Sequence, residues 1–118
     1  MNYFTEGNKF YNMKDYEKAM DFYKKSASEN LNTACSYYNC GVCLIKLKKF
    51  DDAIIMLNKA ISLKHESKYF FNLGYCYVMK ESFNAALRFF NLAWSIDPND
   101  KDCEKAIDLI ISKFKKAN

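Results

Sequence analysis

Apolar residues along this chain fall into three blocks that are separated by short polar stretches. Within each block they recur every three to four residues, the spacing of one face of an α-helix. A polar break divides each block into two helices, at Lys14-Asp15, Lys48-Lys49 and Glu81-Ser82. The pattern predicts helices over 2–13, 34–47, 50–63, 67–80 and 83–96, and another from an N-cap at Asp15 to about Ser28. Thr33 is the predicted N-cap of the third helix, and Pro98 is expected to end the sixth at Asp97.

The three blocks are copies of one unit. The only three glycines are spaced 34 and 33 residues apart, at Gly7, Gly41 and Gly74. An alanine in the second helix of each block repeats with the same spacings, at Ala19, Ala53 and Ala86. A period in this range indicates stacked helical repeats, in which neighbouring units bury a continuous core.

These residues resemble the tetratricopeptide repeat family. With each glycine numbered 8, the family pattern is an aromatic at 4, Leu at 7, Tyr at 11, Ala at 20, Phe at 24, Ala at 27 and Pro at 32. The third copy supplies the whole pattern, with Phe70, Leu73, Gly74, Tyr77, Ala86, Phe90, Ala93 and Pro98. The middle copy supplies Tyr37, Cys40, Gly41, Leu44, Ala53, Leu57 and Ala60, and the first supplies Tyr3, Gly7, Phe10, Ala19 and Tyr23. The departures are Glu6 at position 7 and Leu31 and His65 at position 32.

The resemblance implies an all-α fold of seven helices in a right-handed superhelix, with three helix-turn-helix repeats and a C-terminal capping helix. We expect a single domain over 1–118, with repeats at about 1–33, 34–66 and 67–100 and the capping helix at 101–116. That last segment has one apolar stripe, formed by Cys103, Ala106, Ile107, Ile110 and Phe114. The stripe predicts a helix that covers the last apolar face of the array, and the alternative is a helix that seeks a partner protein.

The resemblance also implies a binding groove along the first helix of each repeat. The side chains that would line it are Phe4, Asn8, Tyr11, Tyr38, Asn39, Val42, Lys46, Lys68, Phe71, Asn72 and Tyr75. Asparagine both donates to and accepts from a peptide backbone, and aromatic rings supply contact area at low entropic cost. We therefore predict a non-catalytic module that binds an extended peptide or partner segment. Alternatively, Val42, Ile45 and Val78 are simply half-buried by neighbouring helices.

Two other functions stay open: a structural or self-associating repeat protein, and a module that binds the C-terminal carboxylates of chaperones. Family members of the second kind use a clamp of three cations and two asparagines. Asn8, Asn39 and Lys68 match that clamp, whereas Phe4 and Asn72 replace two of its cations. A strong grip on two carboxylates is therefore not expected.

Net charge is +4 and is spread along the chain, without the basic stripe of a nucleic-acid binder. No apolar run reaches the roughly 18 residues of a membrane span, and the N-terminus lacks a signal-peptide pattern. We expect a cytoplasmic protein with a protein or peptide partner and no nucleic-acid or membrane partner. It is expected to be a monomer, with a weak homodimer as the alternative.

The five cysteines raise a redox or metal hypothesis, because Cys40 and Cys43 have the spacing of a redox motif or half of a zinc site. They lie in the middle of a predicted helix, and no second pair completes a zinc site, so we interpret them as packing residues in a reducing compartment. His65 is interpreted as a surface turn residue, and Trp94 as a core residue. No catalytic residue, metal ligand or cofactor is predicted.

Overall fold

A computed structural model describes the backbone of residues 2–117 and the side chains of residues 2–113. Within that part of the chain there are seven helices and no strand: α1 (Tyr3–Asn12), α2 (Tyr16–Ser28), α3 (Thr33–Lys46), α4 (Phe50–Leu63), α5 (Ser67–Met79), α6 (Phe83–Ile96) and α7 (Lys101–Ala117). The predicted all-α class is confirmed, and the helix ends agree with the predictions to within about one residue. None of these helices is both long enough and apolar enough to span a bilayer.

The chain packs as two units, Met1–His65 and Glu66–Asn118. In the first unit, α1 packs against α2, α2 against α3, and α3 against α4. Its core cluster contains Ala19, Tyr23, Cys40 and Cys43, all of them 0–1% exposed. The cluster therefore joins the first hairpin to the second through α2. The single domain expected over 1–118 stays a prediction.

In the second unit, α5 packs against α6 and α6 against α7. Ile107 and Ile110 of α7 are buried together with Ala86 and Phe90 of α6. Cys103 is also buried, whereas the charged side of α7 is exposed at Asp102, Glu104, Lys105 and Lys113. Ala106, Ile107 and Ile110 of the predicted stripe therefore face α6, and the side chain of Phe114 lies outside the described residues.

In each hairpin the glycine lets the first helix lie very close to the second. A Cβ atom built on Gly7 would lie 2.6 Å from Cε1 of Tyr23, and one on Gly74 would lie 2.6 Å from Cε1 of Phe90. At Gly41 the nearest atom is Cγ of Leu57, at 2.9 Å. Positions 8 and 24 of the repeat therefore share one packing volume, which explains why the glycines recur.

In each hairpin turn, the second residue after the first helix has a left-handed backbone conformation. The φ angles are 62° at Lys14, 59° at Lys48 and 60° at Glu81. At the middle turn, the Lys48 N–H donates to the carbonyl of Ile45 at 2.9 Å, and the Lys49 N–H donates to that of Leu44 at 2.8 Å. These paired bonds define a Schellman motif, which normally places glycine at the left-handed position. A side chain is strained there, by roughly 1–2 kcal/mol.

Glycine at any of these three turns is expected to stabilise the protein. Lys14→Gly, Lys48→Gly and Glu81→Gly should each raise the free energy of unfolding by roughly 0.5–1 kcal/mol, because relief of strain exceeds the added entropy of the unfolded chain. Urea melts measure the change. Lys24→Gly in the middle of α2 is the matched control, with an expected loss of about 1 kcal/mol. A loss of stability at the turns would contradict the interpretation.

Three local predictions have different outcomes. Asp15 does cap α2, since its Oδ1 accepts from the N–H of Lys18 at 3.2 Å. Thr33 is not an N-cap; it is the first residue of α3, and the left-handed Asn32 precedes it. Trp94 was expected in the core but is 39% exposed, because its indole N–H reaches the carbonyl of Pro98 at 3.0 Å in the following turn. Ile96, the last residue of α6, is 44% exposed as well.

Candidate functional site

The predicted site residues of the first repeat are half-buried on α1 and are held in place by α2. The ring of Phe4 lies 5.7 Å from the ring of Tyr23, centroid to centroid, and the ring of Tyr11 meets that of Tyr16 edge-on at 5.5 Å. Phe4 and Tyr11 therefore each pack one part of the ring against α2 and expose another part to solvent. The side chains are therefore ordered before any ligand arrives.

Asn8 is fixed by a hydrogen bond across the first hairpin. The hydroxyl of Tyr23 donates to Oδ1 of Asn8 at 2.6 Å. Burial raises the pKa of Tyr23 above its ordinary range, and the nearby thiol of Cys43 raises it further, so the phenol keeps its proton for this bond. Because its oxygen accepts from within the fold, Asn8 presents its amide N–H groups outward, and these can donate to a peptide carbonyl.

On α3 the predicted site residues are Tyr38, Asn39, Val42 and Lys46, and Lys46 is the exposed member of the four. The other three are half-buried. Asn39 and Val42 are three residues apart, so they lie on one side of the helix. This side differs from that of Cys40, Cys43 and Leu44, which are buried in the first unit.

On α5 the site residues mix apolar and polar groups. Phe71 packs against Phe90 at 5.2 Å between ring centroids, whereas Tyr75 is 40% exposed. The side-chain amide of Asn72 donates to the carbonyl of Lys68 at 2.9 Å, one helical turn earlier. Met79, one turn after Tyr75, is 46% exposed. Val78 is half-buried against the core of the second unit, in agreement with the alternative in which it is a packing residue.

Lys68 is the one lysine that matches the carboxylate clamp. Its side chain is about half exposed, and its Nζ lies 3.8 Å from Oε2 of Glu66. A surface ion pair of this length contributes little to stability, so the ammonium stays accessible to another carboxylate. Phe4, which stands where the clamp has a cation, is turned toward Tyr23.

Four of the five thiols are buried: those of Cys40, Cys43, Cys76 and Cys103. Burial raises the pKa of each to about 12. A thiol with such a pKa stays protonated near neutral pH and is a poor nucleophile or metal ligand. The packing interpretation of these cysteines is therefore favoured over the redox one.

Within residues 2–113, the His, Cys, Asp and Glu side chains form no group of three or more that could hold a metal ion. His65 is exposed in the turn between α4 and α5, as expected.

One side of the first hairpin carries an aromatic and basic surface that was not predicted from the sequence. The rings of Phe10 and Phe22 stack at 5.4 Å with 4° between their planes, and Tyr3 stacks on Phe22 at 6.1 Å. A signal for it was available, because position 10 of the repeat is Lys9 in the first copy but a cysteine, Cys43 or Cys76, in the others.

Comparisons with known proteins agree with the repeat architecture. Residues 2–60 match the family model described as "Anaphase-promoting complex, cyclosome, subunit 3", and residues 67–100 match "Tetratricopeptide repeat". Serine/threonine-protein phosphatase 5 of Rattus norvegicus is 29% identical over 101 residues, which cover 85% of this chain and 20% of the phosphatase. Anaphase-promoting complex subunit 3 of Schizosaccharomyces pombe is 33% identical over 86 residues, 71% of this chain and 13% of the subunit. The chain thus spans about a fifth or less of these relatives.

A solved structure titled "First TPR of Spaghetti (RPAP3) bound to HSP90 peptide SRMEEVD" has the same fold. The TM-score is 0.90 at 20% identity, with 96% of this chain and 90% of that chain covered. The repeated Gly and Ala positions, the paired helices and the two family matches lead to one conclusion. The chain belongs to the tetratricopeptide repeat family.

Proposed function

We propose that the chain is a non-catalytic adaptor module that binds an extended peptide segment of another protein through the first helices of its repeats. The observation that carries the proposal is the placement of the eleven predicted site residues on α1, α3 and α5, where each is half-buried or exposed. Half-buried rings beside amide groups can bind a backbone and its side chains at once.

The packing around these residues supports the proposal because it orders them in advance. Asn8 is oriented by Tyr23, and Phe71 is backed by Phe90. Side chains that are already ordered lose little entropy when a ligand binds, so more of the contact energy appears as affinity. The exposed Tyr75 and Met79 then offer apolar surface to a peptide side chain.

Acidic peptides are the ligand class we favour. The similar module in the solved complex binds a peptide, SRMEEVD, that contains three acidic residues. In this chain Lys46 and Lys68 are the cations among the site residues, and both are exposed. Because two cations of the carboxylate clamp are replaced, we expect the aromatic and amide groups to supply more of the affinity than charge does.

Two asparagines provide the sharpest test. Changing both Asn39 and Asn72 to alanine should weaken peptide binding by roughly 1–3 kcal/mol, because buried hydrogen bonds to the ligand backbone are lost. Affinities can be measured by fluorescence anisotropy with SRMEEVD and with peptides selected from a random displayed library. The melting temperature should change little.

The matched control replaces Asn58 and Asn91 with alanine, since both are exposed on the second helices of the same two repeats. This control should keep the affinity of the unchanged chain. Equal affinity of both double variants for every selected peptide would refute the assignment of the site to the first helices.

The enzyme and compartment assignments follow the same proposal. The match to the phosphatase covers only 20% of that protein, and the buried thiols have raised pKa values that make them poor nucleophiles, which supports a non-catalytic role. Five free cysteines suit a reducing compartment, and we place the protein in the cytoplasm.

A further inference from the structure

One side of the first hairpin carries three stacked rings, with lysine ammonium groups close to them. Lys9 and Lys18 place their Nζ atoms 5.6 and 5.0 Å from the centroid of Phe10. Lys25 lies 5.7 Å from the centroid of Tyr3 and 5.3 Å from that of Phe22. We call these six residues, Tyr3, Lys9, Phe10, Lys18, Phe22 and Lys25, the aromatic-lysine face. All three rings are half-buried, and all three lysines are exposed.

The charge of this face is not neutralised within the fold. Among the described residues, none of the three lysines has a carboxylate within ion-pair distance. Within α1 and α2, the acids spaced onto the same side are Glu6 and Asp21, so the three lysines outnumber the two acids. Ammonium groups above ring faces at exposed sites are held only weakly, so a carboxylate can recruit them.

The second repeat shows what lies on the equivalent surface. A shift of 34 residues takes Lys9 to Cys43, Phe10 to Leu44 and Phe22 to Met56. Cys43 and Leu44 are buried, and Met56 packs against the cluster that contains Ala19 and Tyr23 of α2. In the second repeat, a helix from the preceding hairpin therefore covers this position. The geometry of the repeat fits a helix here, whereas an extended strand would find no sheet edge to pair with.

We propose that the aromatic-lysine face docks an acidic amphipathic helix of a partner protein, in the position that α2 takes on the second repeat. Apolar side chains of that helix lie on Phe10 and Phe22, and its flanking carboxylates pair with the lysines. A second copy of this chain fits less well, because its terminal helix α7 carries five lysines against three acids: Lys101, Lys105, Lys113, Lys115 and Lys116 against Asp102, Glu104 and Asp108.

Synthetic helices test the proposal directly. The probe is a peptide of about 16 residues with Leu and Phe on one stripe and Glu on both flanks, long enough to hold helical structure. Its twin replaces every Glu with Lys. The full chain should bind the acidic probe in a saturable, salt-sensitive way and bind the basic twin at least about tenfold more weakly. Failure of the acidic probe to bind, or equal binding of the twin, would overturn the proposal.

Charge reversal locates the binding surface. The variant Lys9→Glu, Lys18→Glu, Lys25→Glu should lose about tenfold or more in affinity. The control Lys24→Glu, Lys48→Glu, Lys49→Glu makes the same change in net charge with exposed lysines of the same unit and should lose less than about threefold. Equal losses would show non-specific attraction and would refute the site.

A neutral variant, Lys9→Gln, Lys18→Gln, Lys25→Gln, tests the same surface if the charge-reversed chain does not fold. It should also bind the acidic probe more weakly than the unchanged chain does. Chemical-shift changes in an NMR titration should fall on Tyr3, Phe10 and Phe22. Changes confined to Asn39 and Asn72 would place the probe in the groove and reject this face, whatever the fate of the proposed function.

Discussion

Truncating the chain after Asp100 is expected to cause aggregation or a large loss of stability. The truncation removes α7, whose Ile107 and Ile110 are 8% and 3% exposed where they pack on α6. Without them, Ala86 and Phe90 would meet water. Small repeat arrays have little stability in reserve, because a folded domain is stable by only about 5–15 kcal/mol.

A single substitution tests the same contact more gently. Ile110→Ala should lower the free energy of unfolding by roughly 2–5 kcal/mol, the range for large-to-small changes in a core. Its neighbour Leu109 is 62% exposed, so Leu109→Ala is the matched control and should change stability by about 0.5 kcal/mol or less. Urea melts of both variants give the comparison.

The alternative, in which α7 is a helix that seeks a partner, predicts the reverse. The truncated chain would then stay folded and monomeric and would lose binding instead. Equal melting temperatures of the full and truncated chains would end the capping hypothesis.

Raising the pH above 9 is expected to destabilise the protein progressively. The four buried thiols of Cys40, Cys43, Cys76 and Cys103 have pKa values of about 12 against an ordinary value of 9.0. The unfolded chain therefore releases these protons first, so it holds fewer protons than the folded chain at pH 10. Stability is fully present below pH 9 and is lost progressively as the pH rises toward 12.

The size of this effect follows from the number of thiols. Each contributes a loss of about 1.4 kcal/mol per pH unit between its two pKa values, so four give at most roughly 5–6 kcal/mol per unit. The raised pKa of Tyr23 adds to the loss above pH 10. Urea melts at pH 8, 9 and 10 measure the slope. Cys76→Ala should reduce the slope by about a quarter, and a stability that does not change with pH over this range would contradict the prediction.

Much of the fold could be predicted because its determinants are local and repeated. The glycine period and the apolar spacing place all seven helices, and the α7 stripe identifies which side faces α6. The errors occurred in the turns, where single contacts and backbone conformations do not repeat from one unit to the next. Trp94 is apolar and correctly spaced for the core, but a carbonyl of the next turn draws its indole outward. The left-handed backbone of Asn32, just before α3, is not predicted by the spacing of apolar residues that locates the helices.

The candidate site could be predicted only as a set of positions. Periodicity places Asn8 and Phe4 on one side of α1, but it cannot reveal that Tyr23 occupies the amide oxygen of Asn8 or that Phe4 turns inward. The aromatic-lysine face was missed for a different reason. Lys9, Lys18 and Lys25 are unremarkable singly, and only their distances to the stacked rings join them into one surface.

The close contact between each hairpin glycine and its facing side chain has a consequence for how this sequence can change over evolutionary time. Because a Cβ on Gly74 would lie 2.6 Å from the ring of Phe90, enlarging the first residue is tolerated only after the second has become smaller. The two sites must therefore drift together, in a fixed order of steps. The same order holds in the middle repeat, because a Cβ on Gly41 would lie 2.9 Å from Cγ of the buried Leu57.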